Sequence, residues 1–64
     1  MSTGKVEQWI AGPGEGMIKD EKGQRLAFSQ SDLQNPAERG NLRQGDKVQF
    51  EVDQPGHATG VKKA

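Results

Sequence analysis

Glycine stands at every second position in the segment GPGEG, and glycine-rich loops are candidates for binding phosphate. A phosphate-binding P-loop has the pattern GxxxxGK[ST], and a dinucleotide-binding loop has GxGxxG between a strand and a long helix. Residues 12–18, GPGEGMI, fit neither pattern. The segment is therefore predicted to be structural, because glycine tolerates positive φ and lets two strands cross closely at a sharp bend.

Residues that could catalyse a reaction or hold a metal are sparse. His57 is the only histidine, cysteine is absent, and no second strong ligand completes a metal site. The carboxylates are scattered, no serine has a histidine in a plausible triad arrangement, and a chain of 64 residues leaves no room for a large pocket. We expect no enzymatic activity, no cofactor and no small-molecule substrate.

The cationic and aromatic side chains give an ambiguous signal. Nine Lys and Arg balance nine Asp and Glu, so the basic excess typical of strong nucleic-acid binders is missing. Trp9, the only tryptophan, is either a stacking platform or part of the core. In a regular strand Trp9 would face away from Val6 and Ile10, which favours the exposed platform, although a β-bulge would reverse that orientation.

Apolar alternation predicts the elements that would position these residues. In KVQFEVD the side chains of Val48, Phe50 and Val52 share one face, which is typical of a half-buried strand. Four further strands are predicted within residues 5–10, 17–19, 25–30 and 57–62, with Leu26 and Phe28 facing the core and a turn at Gly23. Residues 29–42 are rich in Ser, Asp, Asn, Pro and Gly, which excludes a long helix and leaves room for one turn near residues 31–34.

These strands predict an all-β fold, a small closed barrel formed by one domain over residues 1–64. With 30% apolar residues and a mean hydropathy of −0.95, its core must be compact and its stability marginal. The chain has no apolar leader and no stretch near the ~20 apolar residues of a membrane span, so a cytoplasmic location without membrane association is expected.

Five segments carry a resemblance to a known family: GKVEQW, GEGMI, LAFSQSDL, LRQGDKVQFEV and GHATGV. Together they resemble the bacterial cold-shock proteins over nearly the whole chain. The resemblance implies a five-stranded antiparallel OB-fold barrel that binds single-stranded RNA or DNA. The matching positions are mainly those of the core and turns, such as Gly16, Ile18, Val48 and Phe50.

The chain departs from this family at the positions where the family stacks bases on aromatic rings. Glu15 and Met17 replace two phenylalanines of the first motif. Ala27, Ser29 and Gln30 replace the outward Phe, His and Phe of the second, and Gln8 takes the position of the family's tryptophan, with Trp9 beside it. Because stacking contributes about 1–3 kcal/mol per base, the affinity for nucleic acid is expected to be weakened.

The resemblance implies a binding site made of Lys5, Trp9, Met17, Lys19, Gln30, Arg39 and His57. Arg39 lies in the long loop that borders the family's binding face. His57 stands where the family has a glutamine that contacts bases, and the alternative is an exposed loop histidine. Met17 is either an adaptable contact on the binding face or a gap filler beneath Trp9.

A second hypothesis belongs to a different class of function. Glu15 would repel phosphates at the centre of the face, unless it pairs with Lys5 or Lys19. A barrel that has lost base stacking could instead present Glu15, Ser29 and Gln30 to a protein partner, since the fold does not determine the function.

Overall fold

The computed structural model describes residues 2–64, which form a closed barrel of five strands. The strands are β1 (Ser2–Ile10), β2 (Glu15–Asp20), β3 (Arg25–Ser29), β4 (Lys47–Gln54) and β5 (His57–Lys63), and their order around the barrel is β1-β2-β3-β5-β4. Two 3-10 segments, Gln30–Asp32 and Pro36–Gly40, lie between β3 and β4. The all-β prediction and the five-stranded barrel are confirmed.

Strand direction departs from the expected antiparallel pattern at one place. Four pairings are antiparallel, whereas β3 and β5 are parallel and meet at the single pair Ala27 and His57. The reason is geometric: directions cannot alternate all the way around a closed ring with an odd number of strands. One parallel contact is therefore unavoidable in this barrel.

The core consists of apolar side chains contributed by all five strands and by the long loop. Its buried members are Val6, Ile18, Leu26, Phe28, Leu33, Leu42, Val48, Phe50, Ala58 and Val61. The predicted inward positions Leu26 and Phe28 are confirmed. Val52 is 48% exposed instead of buried, because the pairing of β4 with β5 shifts register twice towards its end and breaks the alternation.

A β-bulge at Glu7 decides the orientation of the tryptophan. β1 pairs with β2 through Val6 and Ile18 and then through Gln8 and Met17, so Glu7 has no partner in this ladder. The extra residue turns Trp9 onto the face of Val6, where its half-buried ring packs against the core. The outward-facing platform expected from a regular strand is thus wrong, and the bulge alternative is correct.

The glycines of residues 12–18 differ in what they contribute. Gly14 has φ +73°, a conformation that favours glycine. A Cβ on Gly16 would lie 2.6 Å from the Gln8 carbonyl oxygen and 2.8 Å from the Trp9 ring. Gly12 has neither constraint, with nothing within 4 Å of a Cβ. The structural interpretation therefore holds for two of the three.

The long loop contains two short 3-10 segments rather than the single turn expected near residues 31–34. The Asp32 carboxylate accepts a hydrogen bond from the backbone N–H of Ser29 at 2.9 Å and so helps to cap the start of the first segment. The Asn35 side chain accepts from the N–H of Ala37 at 3.1 Å and caps the second, with Pro36 in its first turn. Among residues 2–64, no helix has the length and apolar character that crossing a bilayer requires.

Candidate nucleic-acid interface

The strand register brings four cations into one row on the outside of the barrel. Lys5 on β1 lies directly across from Lys47 on β4 and from Lys19 on β2, and Lys19 lies across from Arg25 on β3. Directly opposed residues project from the same face of a sheet, with Cβ atoms about 4.5–5.5 Å apart. We call Lys47, Lys5, Lys19 and Arg25 the basic row.

The charges of the basic row are only partly compensated. Arg25 Nε lies 2.9 Å from Glu7 Oε1, and the bulge is what leaves this carboxylate outside the β1–β2 ladder. Lys5, Lys19 and Lys47 are exposed and make no ion pair with residues 2–64. The row therefore carries three uncompensated ammonium groups on a chain of zero formal net charge.

The next row on the same face has no Trp, Tyr or Phe side chain, and its one ring is the imidazole of His57. It runs through Gln8, Met17, Ala27 and His57 on four strands. Met17 is half-buried on the outer face, whereas the Trp9 ring packs inward, so Met17 is a surface contact and does not fill a gap beneath Trp9. Beside the cations the row offers the apolar side chains of Met17 and Ala27 between two polar residues, and no Trp, Tyr or Phe ring for stacking.

The far end of the face has a different character. Glu15 pairs with Ile10 on β1 and with Ser29 on β3, and Gln30 follows Ser29 at the surface. Within residues 2–64 Glu15 makes no ion pair, so the alternative in which it pairs with Lys5 or Lys19 does not hold. Glu15 begins β2 and Lys19 lies near the end of the same strand, so their charges are kept apart along its length.

Trp9 and Arg39 are brought together, but both are engaged by neighbouring segments. Trp9 Nε1 donates to the Arg39 carbonyl oxygen at 2.8 Å, and Arg39 Nη2 donates to the Ala11 carbonyl oxygen at 2.7 Å. These bonds fasten the second 3-10 segment to the β1–β2 loop. Trp9 Nε1 and Arg39 Nη2 would each have to break the present hydrogen bond before donating to a ligand.

His57 lies between two carboxylates. Its Nδ1 is 2.6 Å from Asp53 Oδ1 and its Nε2 is 3.0 Å from Asp32 Oδ2. The hydrogen bond to Asp53 raises the pKa of His57 and the contacts with Asp32 add to it, outweighing partial burial. Burial alone would raise the pKa of Asp32, but hydrogen bonds from Ser29 and the contact with His57 outweigh it and lower that pKa. We call Asp32, His57 and Asp53 the histidine clamp.

The predicted site residues are therefore distributed over the face and its rim. Lys5 and Lys19 are directly opposed and Met17 lies in the adjacent row. Trp9 and Arg39 form a second group at the β1–β2 loop, while His57 and Gln30 lie at the β3 side. Sequence reasoning missed Lys47 and Arg25. Each begins a predicted strand, and a prediction of which strands pair would have placed them opposite Lys5 and Lys19.

Among residues 2–64, no group of three or more His, Cys, Asp and Glu side chains is arranged to hold a metal ion. The chain matches no protein-family model, and no curated protein sequence matches it at a significant level.

Proposed function

We propose that this protein binds single-stranded RNA or DNA on the outer face of β1, β2 and β3, with modest affinity. The observation that carries the proposal is the basic row, which concentrates positive charge on this face although the whole chain is neutral. Phosphate contacts by Lys and Arg supply most of the sequence-independent affinity of nucleic-acid-binding proteins. In this proposal the ligand is met in the cytoplasm.

The cold-shock-like architecture suggested by the sequence supports the same face. Lys5 and Lys19 would contact phosphates, and Met17 would give an adaptable apolar contact to a base or sugar. Trp9, Gln30, Arg39 and His57 surround this patch as its rim. Without outward Trp, Tyr or Phe rings, the face lacks most of the stacking contribution of about 1–3 kcal/mol per base, which accounts for the modest affinity.

The test is a titration of isotope-labelled protein with heptathymidine and with a pyrimidine-rich RNA at low salt, followed by amide shifts. Shifts are expected at Lys5, Lys19 and Met17 and not in the turn at Lys22 and Gly23. Absence of any shift at millimolar strand concentration would reject the proposal. Shifts confined to residues 59–63 of β5, which lie outside this patch and its rim, would place binding elsewhere and reject it too.

A second candidate function rests on the opposite end of the face. Ile10 is 46% exposed and stands beside Glu15, a combination of apolar and acidic groups that favours a protein partner over a polyanion. The test compares proteins retained from a lysate by the wild type, Ile10→Asp and Glu15→Lys. A specific protein lost with both variants supports this function, and identical retention by all three counts against it.

A further inference from the structure

We infer that the basic row reads a chain of phosphates rather than bases, so that the ligand class is a linear polyphosphate backbone irrespective of what the backbone carries. This inference rests on the proposed function and specifies what that site recognises. It follows from three features of the outer face: cations directly opposite each other, a row that runs across the strands, and the lack of an outward Trp, Tyr or Phe ring beside that row.

The first feature is that the row places like charges directly opposite each other, which lowers the stability of the fold. Lys5 faces a lysine on each side, Lys19 and Lys47, and like charges directly opposite each other destabilise a sheet. A neutral residue at any of the three positions would relieve the repulsion. Local choices that conflict with stability are expected at functional sites, and an anionic ligand removes this conflict by lying between the ammonium groups.

The second feature is the direction of the row. Neighbouring strands lie about 4.8 Å apart, so the three steps from Lys47 to Arg25 follow the curved outer wall of the barrel for about 14 Å. A single phosphate or a nucleotide headgroup would engage only part of this length. A continuous chain of several phosphates engages all of it, which favours a linear polyanion.

The third feature is that the aromatic rings point elsewhere. The Trp9 ring is stacked on Phe28 inside the barrel wall, and its Nε1 is already bonded to Arg39. The outward positions beside the row are Gln8, Met17, Ala27 and His57, and the His57 imidazole is held between Asp53 and Asp32. Bases would therefore remain largely in solvent, and their identity would contribute little to affinity.

The ion pair between Arg25 and Glu7 allows a control experiment on the number of free cations in the row. Its guanidinium is engaged by Glu7, whose side chain is more enclosed than that of Arg25, with exposed fractions of 32% and 64%. Glu7→Gln would release a fourth cation to the ligand without changing any cation of the row. The three free lysines predict a slope of log K against log salt of about −2 for a single strand, and Glu7→Gln should steepen it to about −3.

The experiment is an anisotropy titration with labelled dodecathymidine, competed by an abasic deoxyribose–phosphate chain of the same length and by inorganic polyphosphate. The abasic chain should compete within about threefold of unlabelled dodecathymidine, because phosphates and not bases carry the affinity. Lys5→Gln, Lys19→Gln and Lys47→Gln should each flatten the salt slope by about 0.7, whereas Lys22→Gln, in the β2–β3 turn, should leave it unchanged.

The outcomes separate this inference from the function on which it rests. If dodecathymidine binds but the abasic chain is weaker by more than about tenfold, bases are being read and the inference is wrong while the proposed function stands. If neither chain binds, the proposed function fails as well. Competition by polyphosphate too would assign the site to phosphate chains in general, and competition by the abasic chain alone would assign it to the sugar–phosphate backbone; both support the inference.

Discussion

The rings of Trp9 and Phe28 stack with centroids 5.2 Å apart and an interplanar angle of 13°, although β1 and β3 are not neighbouring strands. Gly16 on the intervening β2 pairs with both residues and has no side chain to separate them. The stack is therefore possible only because this position of β2 is a glycine.

Gly16→Ala should destabilise the barrel by about 1–3 kcal/mol, because the added methyl overlaps the Gln8 carbonyl oxygen and both rings. Urea denaturation followed by tryptophan fluorescence measures the change. Gly12→Ala is the matched control, since its methyl meets nothing within 4 Å, and it should change stability by less than about 0.5 kcal/mol. Equal effects of the two substitutions would contradict the packing described for Gly16.

Lys5→Gln should stabilise the fold while weakening binding. It removes a charge that faces Lys19 and Lys47, a gain of about 0.2–1 kcal/mol at low salt that should disappear near 1 M salt through screening. Denaturant midpoints at the two salt concentrations test this. Lys22→Gln changes the net charge equally from outside the row and should show no comparable gain; a loss of stability in Lys5→Gln would argue against repulsion in the row.

Restoring aromatic rings should raise the affinity for single strands. Glu15 and Ala27 are exposed on the outer face, so Glu15→Phe with Ala27→Phe would add platforms worth about 1–3 kcal/mol per stacked base. Glu15→Gln is the control, because it removes the negative charge without adding a ring. If the double variant binds no better than Glu15→Gln, the geometry of this face does not admit stacking.

The histidine clamp predicts a pH dependence of stability with two limits. The pKa of His57 is raised in the fold, so its contribution is complete below the unfolded value near 6.5 and is lost as the pH rises through the folded value. The pKa of Asp32 is lowered, so its contribution is present above about 3.8 and is lost as the pH falls through the folded value.

Denaturant midpoints should therefore fall between mildly acidic and mildly alkaline pH, and His57→Gln should remove most of that fall. Asp53→Ala is the second variant, because it eliminates the hydrogen bond that is the first cause of the raised histidine pKa and leaves Asp32 in place. A histidine titration by NMR that shows no rise in the pKa of His57 over an unfolded reference would contradict the clamp.

Alternation was sufficient to predict most of the barrel. β4 was readable because Val48 and Phe50 alternate with polar residues, and the glycine turn at Gly23 was readable because its φ of +85° requires such a residue. The orientation of Trp9 was not readable, because the bulge falls on Glu7, and nothing local distinguishes a bulge there from regular pairing.

The basic row was beyond the reach of local reasoning for a related reason. The family resemblance placed Lys5 and Lys19 at one site, but nothing in the sequence joined Lys47 to them. Only the pairing of β1 with both β2 and β4 places the three side by side. Histidine clamp contacts also depend on tertiary structure, since Asp32 and His57 belong to segments that meet only when the barrel closes.

The pairing of β1 with β4 has a consequence for the order of events during synthesis. β1 is made first, yet one of its two edges finds no partner until Lys47–Gln54 has left the ribosome. Such distant pairing slows folding, and an open edge invites other strands to bind. In a nascent chain the open edge of β1 is thus covered only after β4 has been synthesised, and a fragment truncated before β4 would be prone to aggregate.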